Sequence, residues 1–183
     1  DGAAFPTDDN MQVAAYLAQG DAGAGQITSG NYFAATLFDY AGEFWKGNRY
    51  WPLSESIINF LAISQPDPAR PVATEFDTTT PAAVATVTLA DNSTVQYDLM
   101  YAAAQGHCTP GNYPDVDMVF KHALSWIYFT VKTNVTGTGK ITVNSITLND
   151  AVYDGTLTLT NNCYNVTSSY TSAAANVDAD WTT

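Results

Sequence analysis

Short stretches in which apolar and polar residues alternate run through the middle and end of the chain, and no long segment keeps a helical period. Ala85, Val87 and Leu89 are separated by Thr86 and Thr88, and Leu157 and Leu159 are set among Thr156, Thr158 and Thr160. Ile127, Phe129 and Val131 alternate with Trp126, Tyr128 and Thr130. A period of two in β-branched and aromatic residues is the mark of half-buried strands. The run Ile57-Ile58-Asn59-Phe60-Leu61-Ala62-Ile63 is apolar in both phases, which predicts a central strand covered on both faces. From Ile141 to Leu148 the phase slips, because Ile141 and Val143 share one parity and Ile146 and Leu148 the other. A β-bulge near Asn144-Ser145 would restore it by inserting one residue.

Turn chemistry falls between these runs. Gly47-Asn48 separates Phe44-Trp45-Lys46 from Arg49-Tyr50-Trp51 at the length of a two-residue hairpin, which predicts that Trp45 faces Tyr50. Asp91-Asn92-Ser93, Thr136-Gly137-Thr138-Gly139 and Asp154-Gly155 mark further turns. Pro66-Asp67-Pro68-Ala69-Arg70-Pro71 reads as a loop, since its prolines supply no ladder donor, and Gly20–Gly25 reads as another. Two helical stretches are predicted, Asp98–Gln105 and a turn at His122-Ala123-Leu124. Consecutive hairpins imply antiparallel pairing and an all-β, Greek-key sandwich of about seven strands or more, with at most one or two short helical turns. The sandwich is expected over residues 1–163. Residues 164–183, rich in Ser, Ala, Asn and Asp, read as a linker or the start of a C-terminal domain.

Composition narrows what such a domain does. The chain has 183 residues, 46% of them hydrophobic and only 13% charged. That supports a packed core with a Thr-, Ser- and Asn-rich surface, and excludes an acidic disordered tail. Six basic against 18 acidic side chains give a net charge of -12. A surface at that potential repels phosphate backbones, so no nucleic-acid partner is expected. No run approaches the ~18 apolar residues of a membrane span. The chain starts at Asp1 with no basic and apolar leader, and reads as the mature product of export.

Candidate chemistry is sparse. His107 and His122 have no second ligand at helical spacing, and the pairs Asp8/Asp9, Asp115/Asp117 and Asp178/Asp180 read as solvated surface, so no metal or cofactor is expected. Neither cysteine carries a protease signature, there is no Gly-x-Ser-x-Gly elbow, and nothing singles out Glu43 and Glu75 as a glycosidase pair. The expectation is a protein that is not an enzyme. Cys108 and Cys163 both fall at strand ends, and the sequence leaves a disulfide between them open. His122 sits between apolar segments, which predicts a buried ring with Asp98 as its polar partner. Phe44, Trp45, Tyr50, Trp51, Trp126 and Tyr128 suit core and cross-strand packing, or a platform for sugar rings. Trp126 and Tyr128 oppose Ile127, Phe129 and Val131, so that strand is apolar on both sides and needs a cover.

Four blocks, in order, resemble the fimbrillin-like (Mfa-like, FimA-like) superfamily of bacterial fimbrial and cell-surface proteins. They are Tyr50-Trp51-Pro52 with Ile58–Ala62, Gln96–Ala102 with its Asp98-Leu99-Met100 core, Val116–Phe120 followed by His122-Ala123-Leu124-Ser125, and Ile141–Leu148 with Gly155–Thr160. They span residues 44–160 and match the family's N-terminal domain. The resemblance implies a transthyretin-like sandwich, export as a lipoprotein to the outer membrane and the fimbrium, and polymerisation by strand donation. The implied partners are other fimbrial subunits or a C-terminal domain of the same protein, with a host protein or glycan as a further binding partner. A stand-alone glycan-binding sandwich is the alternative reading.

Overall fold

The computed structural model describes residues 5–17, 30–65, 72–88, 98–134, 136–152, 154–161 and 177–182. The predicted loops Gly20–Gly25, Pro66–Pro71 and Asp91–Ser93 lie outside these residues. Ten strands are present among the described residues: β1 (Asn10–Leu17), β2 (Gly30–Tyr40), β3 (Trp45–Lys46), β4 (Ser56–Gln65), β5 (Ala73–Phe76), β6 (Ala82–Thr88), β7 (Met100–Cys108), β8 (Lys121–His122), β9 (Asp154–Asn161) and β10 (Val177–Thr182). They form a six-stranded sheet in the order β3-β2-β1-β4-β7-β8 and a four-stranded sheet in the order β10-β9-β6-β5. All pairings are antiparallel. The fold is the all-β antiparallel sandwich that the alternation predicts.

The smaller sheet shows that alternation directly. Ala83, Ala85 and Val87 of β6 and Leu157 and Leu159 of β9 point inward, while Thr86, Thr158 and Thr160 point to solvent. Their inner face packs on Leu61 and Ile63 of β4, Leu99 and Val72 to make the core between the sheets. Each fully buried aliphatic there contributes about 1.5–3 kcal/mol. Two buried polar side chains tie the sheets together. The Tyr16 hydroxyl donates to the Asp77 carbonyl at 2.9 Å, and Asn161 Nδ2 donates to the Phe60 carbonyl at 3.1 Å.

β4 is buried along its whole length, as its double-sided apolar pattern predicts. Its second face, with Ile58, Phe60 and Ala62, joins Met11, Val13, Ala15 and Leu17 of β1 and Ala102 and Ala104 of β7 in another core. Among the described residues, side chains rather than a third sheet cover that core, including Phe5, Phe33, Phe38, Trp45, Trp51, Val116, Met118 and Phe120. The extended run Pro114–Phe120 turns its even-numbered residues toward this core and its odd-numbered ones outward, so Asp115 and Asp117 are exposed.

Several local expectations are overturned. Residues 100–108 form a central strand between β4 and β8, not part of a helix over Asp98–Gln105, and no helix occurs among the described residues. Ala102 and Ala104 of that strand are small because Trp51 and the Val116–Phe120 run press on its outer face. The hairpin at Gly47-Asn48 does not form. Trp45 pairs instead with Tyr40 across a turn in which Gly42 takes φ +96° and the Ala41 amide donates to the Phe44 carbonyl at 2.9 Å. Gly47 serves close packing, since a Cβ there would sit 2.3 Å from the Phe38 ring. The chain beyond Cys163 is not all linker. Residues 162–176 lie outside the described set, but Val177–Thr182 returns as β10 and pairs with β9 over its full length.

Candidate functional site

The family-like blocks converge on the outer face and on the β7–β8 edge. Trp51 meets Phe60 edge-on, with ring centroids 5.8 Å apart, and its indole reaches over Gly106 of β7. Pro52 is buried beside it, and its carbonyl lies 3.9 Å from Cys108 Sγ. Leu99 is fully buried in the core between the sheets, and the buried Met100 donates its amide to Ser64 Oγ at 2.8 Å. Phe120 packs on Phe5 in the outer layer, with centroids 4.3 Å apart. From there the chain crosses the sheet edge. Lys121 and His122 pair with Tyr101 and Met100, the Ala123 amide donates to the Leu99 carbonyl at 2.7 Å, and Ala123 and Leu124 turn into the core between the sheets. Trp181 of β10 closes this corner, its Nε1 donating to the Ala123 carbonyl at 3.2 Å.

His122 has the expected partner but not the expected burial. Its Nδ1 lies 2.6 Å from Asp98 Oδ2, yet the side chain is 70% exposed, because the two-residue β8 is the edge strand of its sheet among the described residues. His107 is paired in a similar way, Nε2 to Glu55 Oε1 at 2.9 Å. Near the first pair, burial and then the charges of Asp8 and Asp98 push the Asp9 carboxyl up. No group of three ligating side chains suited to a metal ion occurs among the described residues. Cys108 is a free, buried thiol whose pKa desolvation raises. Cys163, its candidate disulfide partner, lies outside the described residues.

Beyond the exposed Ser125 the chain changes character. Residues 126–152 contain the two runs predicted as a strand pair, but no strand forms there among the described residues, and the bulge at Asn144-Ser145 has no ladder to interrupt. The runs extend away from both cores. Trp126 is 92% exposed, Tyr128 81% and Ile127 58%, while Phe129, Val131, Ile141, Val143, Ile146, Leu148 and Val152 are also exposed. Soluble monomers rarely expose so much contiguous apolar side chain unless it is an interaction surface. Sequence reading singled out Trp126 and Tyr128 but missed the extent of this arm, because a period of two reports a strand without saying which chain pairs with it. It also missed β10, in which Val177, Ala179 and Trp181 do alternate with Asp178, Asp180 and Thr182, because the run is short and follows a stretch rich in Ser, Ala and Asn.

The described residues thus form an all-β sandwich with an exposed, strand-like run at 126–152. The family-model comparison is specific: the chain belongs to the fimbrillin-like family, whose model matches residues 1–183. No curated protein and no solved structure matches the chain.

Proposed function

We propose that the chain is an exported structural subunit of a cell-surface fimbrium, anchored at the outer membrane as a lipoprotein before processing, which joins its neighbour by strand addition. The exposed arm carries this reading. Trp126–Val131 has strand composition and strand period but no strand pairing among the described residues, and adding it to another chain's sheet edge would bury the aromatic faces and satisfy the backbone. Family membership supports the same class of protein. The test is sedimentation of the full chain beside a Trp126→Ser/Tyr128→Ser variant. Concentration-dependent assembly of the wild type, lost in the variant with an unchanged circular-dichroism spectrum, is expected. Equal assembly of the two proteins refutes strand addition through the arm.

A glycan-binding module is the second reading. Trp126 and Tyr128 favour it, being two positions apart in an extended segment and both exposed, as stacking platforms require. Quenching of Trp126 fluorescence by a saccharide, in a chain that never self-associates, would carry that reading.

A further inference from the structure

We propose that the arm is directed by charge to the β10 edge, open among the described residues, of a second copy of this chain, and that its lysines select that edge. The proposal rests on the subunit reading above and adds which surface accepts the arm and why. Charge along the sequence is sharply divided. Between Met118 and Asn149 there is no Asp or Glu: Lys121 of β8 stands just before the arm, Lys132 and Lys140 lie within it, and Asp150 falls near its far end, while Lys46, Arg49 and Arg70 are left among the other 17 acidic side chains. Two such molecules repel wherever body meets body and attract where the cationic arm meets an anionic body, so encounter is steered arm first.

The acceptor follows from length and charge together. The open edges of the described sheets are β3 with two residues, β8 with two, β5 with four and β10 with six. Only β10 matches Trp126–Val131, which also has six positions and runs directly into Lys132. Free edges are commonly protected with lysine. β10, of sequence Val-Asp-Ala-Asp-Trp-Thr, carries carboxylates instead, and Asp180 stands exposed opposite Thr158. Those carboxylates repel a second β10 and admit a strand that brings positive charge, so the same groups reject one partner and select another. β5 offers only Glu75 over its shorter length.

Sedimentation velocity on the full chain tests this at about 20 mM and about 500 mM salt, where the Debye length falls from roughly 20 Å to roughly 4 Å. The Lys132→Glu/Lys140→Glu variant should associate about tenfold or more weakly at low salt and lose most of that difference at high salt. Adding Asp178→Lys/Asp180→Lys to it should restore association. An unchanged thermal midpoint in each variant separates these effects from misfolding. The proposal is overturned if the lysine variant associates like the wild type at low salt, or if reversing the acceptor charges restores nothing. If Trp126→Ser/Tyr128→Ser still abolishes assembly in that case, the subunit reading survives and only the charge-selected edge falls. If that variant also assembles normally, both fail. Capture of the wild type by phosphatidylglycerol vesicles without self-association overturns both as well.

Discussion

Gly106 offers a prediction in which the sign alone is decisive. It lies mid-strand in β7, where replacing glycine with alanine ordinarily gains about 0.5–1 kcal/mol by restricting the unfolded chain. Here a Cβ would stand 2.5 Å from Trp51 Cη2, with Phe60 Cε2 and Val116 Cγ2 both at 3.3 Å. The indole cannot slide aside freely, because Phe60 holds its edge and Pro52 is buried behind it. Overpacking of this kind costs about 1–3 kcal/mol, so Gly106→Ala should destabilise by a net of about 1–2 kcal/mol. In urea unfolding that is a fall of about 0.5 M in midpoint at constant m. Trp51→Phe removes the clashing atom, and in the double variant it should return about 1 kcal/mol as a coupling energy. Gly139 is the control: a Cβ there meets nothing within 4 Å, so Gly139→Ala should be neutral or slightly stabilising. A Gly106→Ala protein at least as stable as the wild type, or a cycle with no coupling to Trp51, would refute the packing of Trp51 over β7.

Three further outcomes are expected. Tyr16→Phe, which removes the buried hydroxyl bonded to the Asp77 carbonyl, should cost about 1 kcal/mol in urea unfolding, and no loss would mean that this link between the sheets is immaterial. Bonds from the Thr80 and Thr79 amides and the Thr79 hydroxyl lower the Asp77 carboxyl to about 2, so its contribution to stability is complete above its ordinary value of roughly 3.9 and is lost as pH falls toward 2. Asp77→Asn should flatten the stability profile over that window, and an NMR titration of Asp77 near 3.9 would contradict the turn geometry. In a Cys163→Ser background, the buried Cys108 thiol should react with a disulfide reagent only after urea is added; rapid reaction of the native protein would place it at the surface.

What the sequence revealed and what it hid divide along a physical line. β6, β9 and β4 were legible because each meets its surroundings in the simplest way: one face to water with threonine outward, or both faces buried. β7 misled because alanine leads the helix scale, yet Ala102, Ala104 and Gly106 are small to admit Trp51 and its neighbours, and packing outweighs a propensity difference of under about 1 kcal/mol. At Gly47-Asn48 the glycine answered to the Phe38 ring, while the turn was made by Gly42. β10 was invisible for a different reason. Only Ala179 among its described side chains packs on the core between the sheets, and its position is fixed by pairing with β9 and by the Trp181 bond to the Ala123 carbonyl.

The exposed arm is the case in which local pattern and chain-level structure part company. Pattern reading assigns a strand wherever the residues would suit one, and 126–131 and 141–148 suit one on both parities. A strand, however, is a property of two segments. Tyr16 and Asn161 clamp the sandwich around cores that close without these runs, since both hydrophobic cores are filled by other residues. These apolar side chains, joined to the sandwich at a corner braced by Ala123, Leu124 and Trp181, belong to neither core, and the proposed strand addition would give them a partner. The order along the chain gives the same logic. Residues before Ser125 build the six-stranded sheet and half of the smaller one, the exposed run follows, and β9 and β10 then return to complete the smaller sheet, so both ends of the run are held by the sandwich.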